Sequence, residues 1–232
     1  MDMSNDHLFL LINKPIGITS HDVVDVMRNV TGVRKIGHAG TLDPFAGGLL
    51  ILAIGREATK NLGAFVKLDK EYIADIELGI STDTQDRTGN VIAQSDVKPT
   101  RKQVEKVLRE FQGEQKQTPP MFSAKKHKGK KLYELARRGI QIERPLAEIT
   151  IHELELISYT YPILRVRIHC TSGTYIRTLA NDIGVKLGTY AHAKELTRTK
   201  IGAFDLKDAH NVVDITKENW QKMGLSDIQT RF

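Results

Sequence analysis

The sequence predicts an α+β fold, on three observations. Two segments alternate apolar and polar side chains with the period of a half-buried strand. Residues 70–79 set Tyr72, Ala74, Ile76 and Leu78 against Asp75 and Glu77, and residues 164–170 set Leu164, Val166, Ile168 and Cys170 against Arg165, Arg167 and His169. Residues 49–54 form an unbroken apolar run of strand length, as in a sheet covered on both faces. Between such segments lie helical stripes: Val23, Val26, Met27 and Val30 behind a cap at Thr19 or Ser20, and Val104, Val107, Leu108 and Phe111 behind the capping box Thr100–Gln103.

The remaining elements follow in order. Residues 8–12 read as a strand that runs into a turn at Pro15 and Gly17, and Asp22 suits the first turn of the helix that follows. Residues 57–65 predict one short helix, 81–89 a loop of turn formers, and 91–94 a short strand. Residues 148–157 form a strand whose apolar phase slips at His152–Glu153, which predicts a bulge. The turn at residues 171–175 opens a helix carrying Leu179, Ile183 and Leu187, with free N–H groups at its start beside Arg177 that suit an anion. The tail from 205 to 232 offers too little chain for a further independent fold.

At 232 residues, 40% of them hydrophobic, the chain can bury a sizeable core. The formal charge of +6 favours a polyanionic partner. It is concentrated in residues 118–146, where Lys125, Lys126, Lys128, Lys130 and Lys131 fall within seven positions, interleaved with Phe122, His127 and Tyr133. Such a run is either a solvated loop or a surface for phosphates and stacked bases, and a loop that folds onto RNA satisfies both readings. The single cysteine, Cys170, excludes an intramolecular disulfide and sits in the apolar phase of its strand, which predicts core packing. The acidic N-terminus, with only the short apolar run of residues 8–12, predicts neither a signal peptide nor a membrane span, hence a cytoplasmic location. No spacing of oxygen, nitrogen or sulfur ligands predicts a metal site.

The richest stretch is residues 37–50, GHAGTLDPFAGGLL, where Asp43 stands among four glycines, a proline and His38. The glycines permit positive φ or close approach, and Asp43–Pro44 is a turn dipeptide, so the loop is short and stiff and presents one carboxylate. Its direct continuation into the apolar run anchors it in a sheet. A carboxylate held this way suits a nucleophile; a turn former bonded to its own backbone is the plainer alternative.

This stretch resembles the catalytic motif of the TruB family of tRNA pseudouridine synthases, close to GH-[AT]-G-[TA]-LDP-x-A-[TS]-G-[LM]-L, with Gly47 where Thr or Ser is usual. Further segments are similar to other motifs of that family: INKPIGITSHDVV around Lys14, KEYIADIELG around Tyr72, STDTQDRTG, TPPMFSAKKHKGKKLYELARRGI, CTSGTYIRTLANDIG around Arg177, and LTRTKIGAF. They span residues of about 8 to 210.

The resemblance implies a single catalytic domain over residues 1–232, with a mixed, largely antiparallel sheet flanked by helices and a basic RNA-gripping loop at 118–146. Many bacterial members of that family carry a small C-terminal RNA-binding domain, whereas the tail of about 30 residues here is too short for one, so none is expected. The implied activity is the isomerisation of uridine to pseudouridine at position 55, in the T arm of tRNA, by a monomer without a cofactor. Asp43 is then the nucleophile, Tyr72 stacks on the uracil and serves in proton removal, and Arg177 pairs with Asp43. His38 helps hold the opened RNA loop, Tyr175 lines the base pocket, Lys14 lies near the active site, and the five lysines grip phosphates. Two other classes compete: a tRNA-folding chaperone, in which loss of Asp43 has no consequence, and an Asp-centred enzyme acting on free nucleosides, which calls for a second carboxylate and no lysine-rich loop.

Overall fold

The computed structural model describes residues 8–226 other than 124 and 128, so Lys128 lies outside the described residues. In chain order the strands are β1 (Leu8–Lys14), β2 (Ile36–His38), β3 (Gly47–Ile54), β4 (Lys70–Leu78), β5 (Ile80–Thr82), β6 (Val91–Gln94), β7 (Gly113–Gln117), β8 (Lys126–His127), β9 (Lys130–Lys131), β10 (Ala147–Thr160), β11 (Ile163–Cys170), β12 (Ala191–Ile201), β13 (Phe204–Asp205) and β14 (His210–Asn211). The α-helices are α1 (Ser20–Thr31), α2 (Arg56–Lys60), α3 (Leu62–Lys67), α4 (Arg101–Glu110), α5 (Leu132–Ala136), α6 (Ile176–Lys186) and α7 (Trp220–Met223). The described residues form two compact units, one of residues 8–73 and 196–226, the other within residues 74–195. The strand pairing is mixed and largely antiparallel, as expected, with β1–β14 and β3–β12 as parallel pairs.

In the first unit the order is β14-β1-β3-β12, with β2 also on β3 and β13 on β12. β1 and β3 pair from Leu8↔Ile54 to Lys14↔Gly48, and both are covered on both faces, which is why residues 49–54 are apolar without alternation. The period of two sends Leu8, Leu10, Ile12, Leu50, Leu52 and Ile54 to one core cluster, and Phe9, Leu11, Leu49 and Ile51 to another.

α1 starts with the Thr19–Asp22 capping box and ends at Gly32 in the left-handed region. Its buried face is Ser20, Val23, Val24 and Met27, so Val24 takes the place expected of Val26, which is 38% exposed. The expected helix over 57–65 is two short helices that meet at Asn61, where no side chain caps either end.

The tail contributes more than its sequence suggests. β14 pairs in parallel with β1, the backbones of Phe9 and Leu225 bond each other, and Val212, Ile215 and Trp220 join the first core cluster. Its turns are too short to show a period, so the pattern is invisible in the sequence.

In the second unit the order is β4-β11-β10-β7. β10 and β11 are antiparallel, with a register shift between Ile151 and Glu153, the expected bulge, and another between Leu156 and Ser158. The capping box of α4 forms as predicted, and Cys170 is wholly buried. β5 and β6 make a hairpin around the turn at 83–89, and β8 and β9 make a second one in the lysine-rich segment. Among the described residues no helix is long and apolar enough to cross a membrane.

Candidate active site

The loop between β2 and β3 is fastened on three sides. The Ser20 hydroxyl, buried at the start of α1, accepts from the Leu42 N–H at 2.9 Å and donates to the Leu42 carbonyl at 3.2 Å. The Gly17 N–H donates to the Pro44 carbonyl at 2.7 Å. From β12, Arg198 donates through Nη2 to the Gly40 carbonyl at 3.1 Å and through Nε to the Leu49 carbonyl at 2.8 Å. These bonds reach the residues immediately before and after half-buried Asp43, so the carboxylate is carried by a backbone with little freedom.

Lys14, at the end of β1, is completely buried, and its ammonium donates to the Pro15 and Ile18 carbonyls at 2.8 and 2.7 Å. Burial pushes its pKa down from 10.5 to about 8, the negative charge of Asp43 opposing that shift and the Arg198 cation adding to it. Lys14 therefore braces the turn that holds Pro44 and is charged at neutral pH beside Asp43. A pH dependence follows. Between about 8 and 10.5 the unfolded chain keeps the proton that folded Lys14 has released, so stability rises with pH across that window. The unfolding free energy of the wild type, minus that of Lys14→Met, should rise over this range; a flat difference would contradict the assignment.

His38, on β2, is half-buried, and burial together with Arg198 lowers its pKa, so it is neutral at physiological pH. Its Nδ1 is buried and makes no hydrogen bond among the described residues. Tyr72 occupies the inward phase of β4, as the alternation predicts, and its side chain is a polar neighbour of the Arg198 guanidinium that favours its charged form.

In the second unit, Arg177 lies in the first turn of α6. It is 4% exposed. It donates to the Thr84 and Phe122 carbonyls, each at 2.7 Å, and stands 3.6 Å from the Asp86 carboxylate. Asp86 also accepts from Thr84 and from the N–H of Thr88, both at 2.9 Å, which gives the turn-forming role read for this loop a second purpose, seating Arg177. The Tyr175 backbone is held by Gln117, whose amide accepts from its N–H at 2.8 Å and donates to its carbonyl at 3.1 Å. The start of α6 is thus partly occupied, where the sequence suggested open N–H groups. Lys125 and Lys130 are exposed, and Lys126 and Lys131 lie on β8 and β9.

Arg198, Ser20, Asp86 and Gln117 went unremarked as site residues in the sequence. Arg198 carried a usable signal, a charged residue in the buried phase of a strand beside Leu196. The other three carried none, since a serine in the first turn of a helix, an Asx-turn aspartate and a lone glutamine are ordinary at such places.

Comparison with known proteins defines the class. The sequence model described as "TruB family pseudouridylate synthase (N terminal domain)" matches residues 28–176, and that described as "tRNA pseudouridylate synthase B C-terminal domain" matches residues 177–228. The fold and these matches define a pseudouridine synthase, an isomerase. The chain belongs to the TruB family.

Among its relatives, tRNA pseudouridine synthase B of Protochlamydia amoebophila is 53% identical over 89% of this chain and 78% of its own length. The protein of the same name from Desulfotalea psychrophila is 47% identical over 90% and 87%. A solved chain in the "Crystal Structure of a Cbf5-Nop10-Gar1 Complex" aligns with a TM-score of 0.74 and 28% identity, over 96% of this chain and 61% of that one. Among the described residues no group of three or more His, Cys, Asp or Glu could hold a metal ion.

Proposed function

We propose that the protein converts uridine 55 in the T arm of tRNA to pseudouridine, with Asp43 as the nucleophile. The observation that carries this reading is the fastened loop, which holds a single carboxylate beside the buried, charged Lys14. The tRNA substrate is supported by the names of the relatives. Isomerisation breaks the C1'–N1 bond and makes the C1'–C5 bond with composition and oxidation level unchanged, so the reaction as written requires no redox partner or group donor.

An ionised Asp43 attacks the substrate covalently, the uracil freed by cleavage of C1'–N1 turns and joins C1' through C5 as the bond to Asp43 breaks, and C5 gives up its hydrogen as a proton while N1 takes one up. The target base must leave its stack to be reached. Tyr72 stacks on it and serves in proton removal, Tyr175 lines the pocket, and His38 supports the opened RNA loop. Arg177, in pairing with Asp43, keeps the carboxylate ionised. Lys125, Lys126, Lys128, Lys130 and Lys131 hold phosphates, and residues 1–232 work as one catalytic domain.

The reaction is tested with tRNA carrying tritium at C5 of uridine. Each turnover should release one tritium to water, and absence of release at high enzyme concentration would overturn the proposal.

The lysine run carries its own expectation. With about 0.7 to 0.9 of a log unit of slope per neutralised phosphate, exchanging four of these lysines for glutamine should flatten the plot of log affinity against log salt by about three. An unchanged slope would put the RNA on another surface.

A further inference from the structure

Arg198 is a cation without solvent contact, among the largest side chains buried in the molecule, and no step of the proposed reaction uses it. Burial pulls its pKa down, and the neighbouring Tyr72 side chain works in the opposite direction. An arginine withdrawn from water is costly unless its donors are satisfied, and here the satisfied donors point to informative places. Nη2 reaches the Gly40 carbonyl, three residues before Asp43, and Nε reaches the Leu49 carbonyl, six residues after it. The remaining named partner is Tyr72, on a different strand. One rigid planar group thus spans both shoulders of the loop and the tyrosine.

Its own backbone is fixed as tightly. Arg198 pairs in register with Gly48, and a Cβ built on Gly48 would fall 2.4 Å from the Arg198 carbonyl oxygen. The guanidinium therefore starts from a fixed point on β12 and is held at the two loop carbonyls, with Tyr72 as its polar neighbour.

We infer that Arg198 is a positioning residue for the reaction, holding the Tyr72 side chain and the Asp43 loop at one fixed separation. The inference rests on the function proposed above. Arg198 acts through Tyr72 and through the loop. A displacement of about 1 Å at a reacting group costs up to about a hundredfold in rate, so the link should show in turnover and leave substrate binding nearly untouched.

The test is a double-mutant cycle on tritium release from tRNA, with wild type, Arg198→Lys, Tyr72→Phe and the double variant. Lysine keeps the charge but cannot span both loop carbonyls and Tyr72. The expected result for Arg198→Lys is a kcat lower by about a hundredfold with KM within about threefold of wild type. In the Tyr72→Phe background the same change should cost only about tenfold, because the Tyr72 arm is already gone and the loop arm remains. Penalties that multiply in full, or a raised KM with unchanged kcat, would overturn the proposal.

A second measurement needs no change at Arg198. In the 15N-labelled protein its guanidinium signals, assigned through the side chain, should be slow to exchange. They should shift and exchange faster in Tyr72→Phe while other arginine signals stay in place, and unaltered Arg198 signals would overturn the link. A wild type that releases no tritium would instead refute the functional reading, so the two failures are distinguishable.

Discussion

Asp43→Asn should abolish turnover while tRNA affinity stays within about threefold of wild type. Asparagine has nearly the same volume and suits the same turn, and the backbone bonds that fasten the loop, at Gly40, Leu42, Pro44 and Leu49, do not involve the Asp43 side chain. Affinity is spread over phosphate contacts and stacked bases, whereas a covalent step depends on one ionised oxygen that a neutral amide cannot replace. The expected loss is therefore in kcat alone, below detection in single-turnover assays. A rate within about tenfold of wild type, equivalent to about 1.4 kcal/mol of barrier, would return Asp43 to the status of a turn former.

Gly48→Ala should be the most damaging small change in the fold around the site. Gly48 has φ +102°, and its Cβ would lie 2.4 Å from the carbonyl oxygen and 2.7 Å from the nitrogen of Arg198, both backbone atoms of a paired strand. Strain at positive φ and overpacking against immovable backbone together should cost about 3 to 5 kcal/mol, read as a large fall in the denaturant midpoint. Gly47→Ala is the control. Its φ is not in the left-handed region, and its Cβ would meet the Lys14 carbonyl at 3.2 Å and the Ile16 side chain at 3.3 Å, so a shift of a few tenths of an ångström suffices. Equal costs at the two positions would contradict this account of the strand pairing.

Much of this architecture could be read from the chain because its signals are periodic or local. The alternation around Tyr72 predicts which face of β4 is buried, and the phase slip at His152–Glu153 marks the register shift that β10 shows. The caps at Thr19 and Thr100 hold because a hydroxyl three residues before a matching acceptor is a local device.

What escaped depends on neighbours far away in sequence. The exposure of Val26 and the burial of Val24 are set by how α1 turns toward its cluster, and both residues are equally apolar. Trp220 joins a core whose other members lie mostly before residue 55, across turns without a period. The loop that carries Asp43 and His38 stood out in the sequence because it concentrates rare backbone behaviour in fourteen residues, with Gly40 and Gly48 both at positive φ. Ser20, Gln117 and Asp86 act by bonding backbone or arginine groups from distant segments, and their residue types carry no mark of it.

The central claim is that a fastened aspartate isomerises one uridine of a T arm. It is tested most directly by incubating the purified protein with a T stem-loop transcript and with whole tRNA, and mapping pseudouridine at single-nucleotide resolution. The account predicts modification at position 55 alone, with rates for the two substrates within about tenfold, and none with Asp43→Asn. Pseudouridine at another position, unmodified uridine 55 in both RNAs, or equal modification by Asp43→Asn would contradict it.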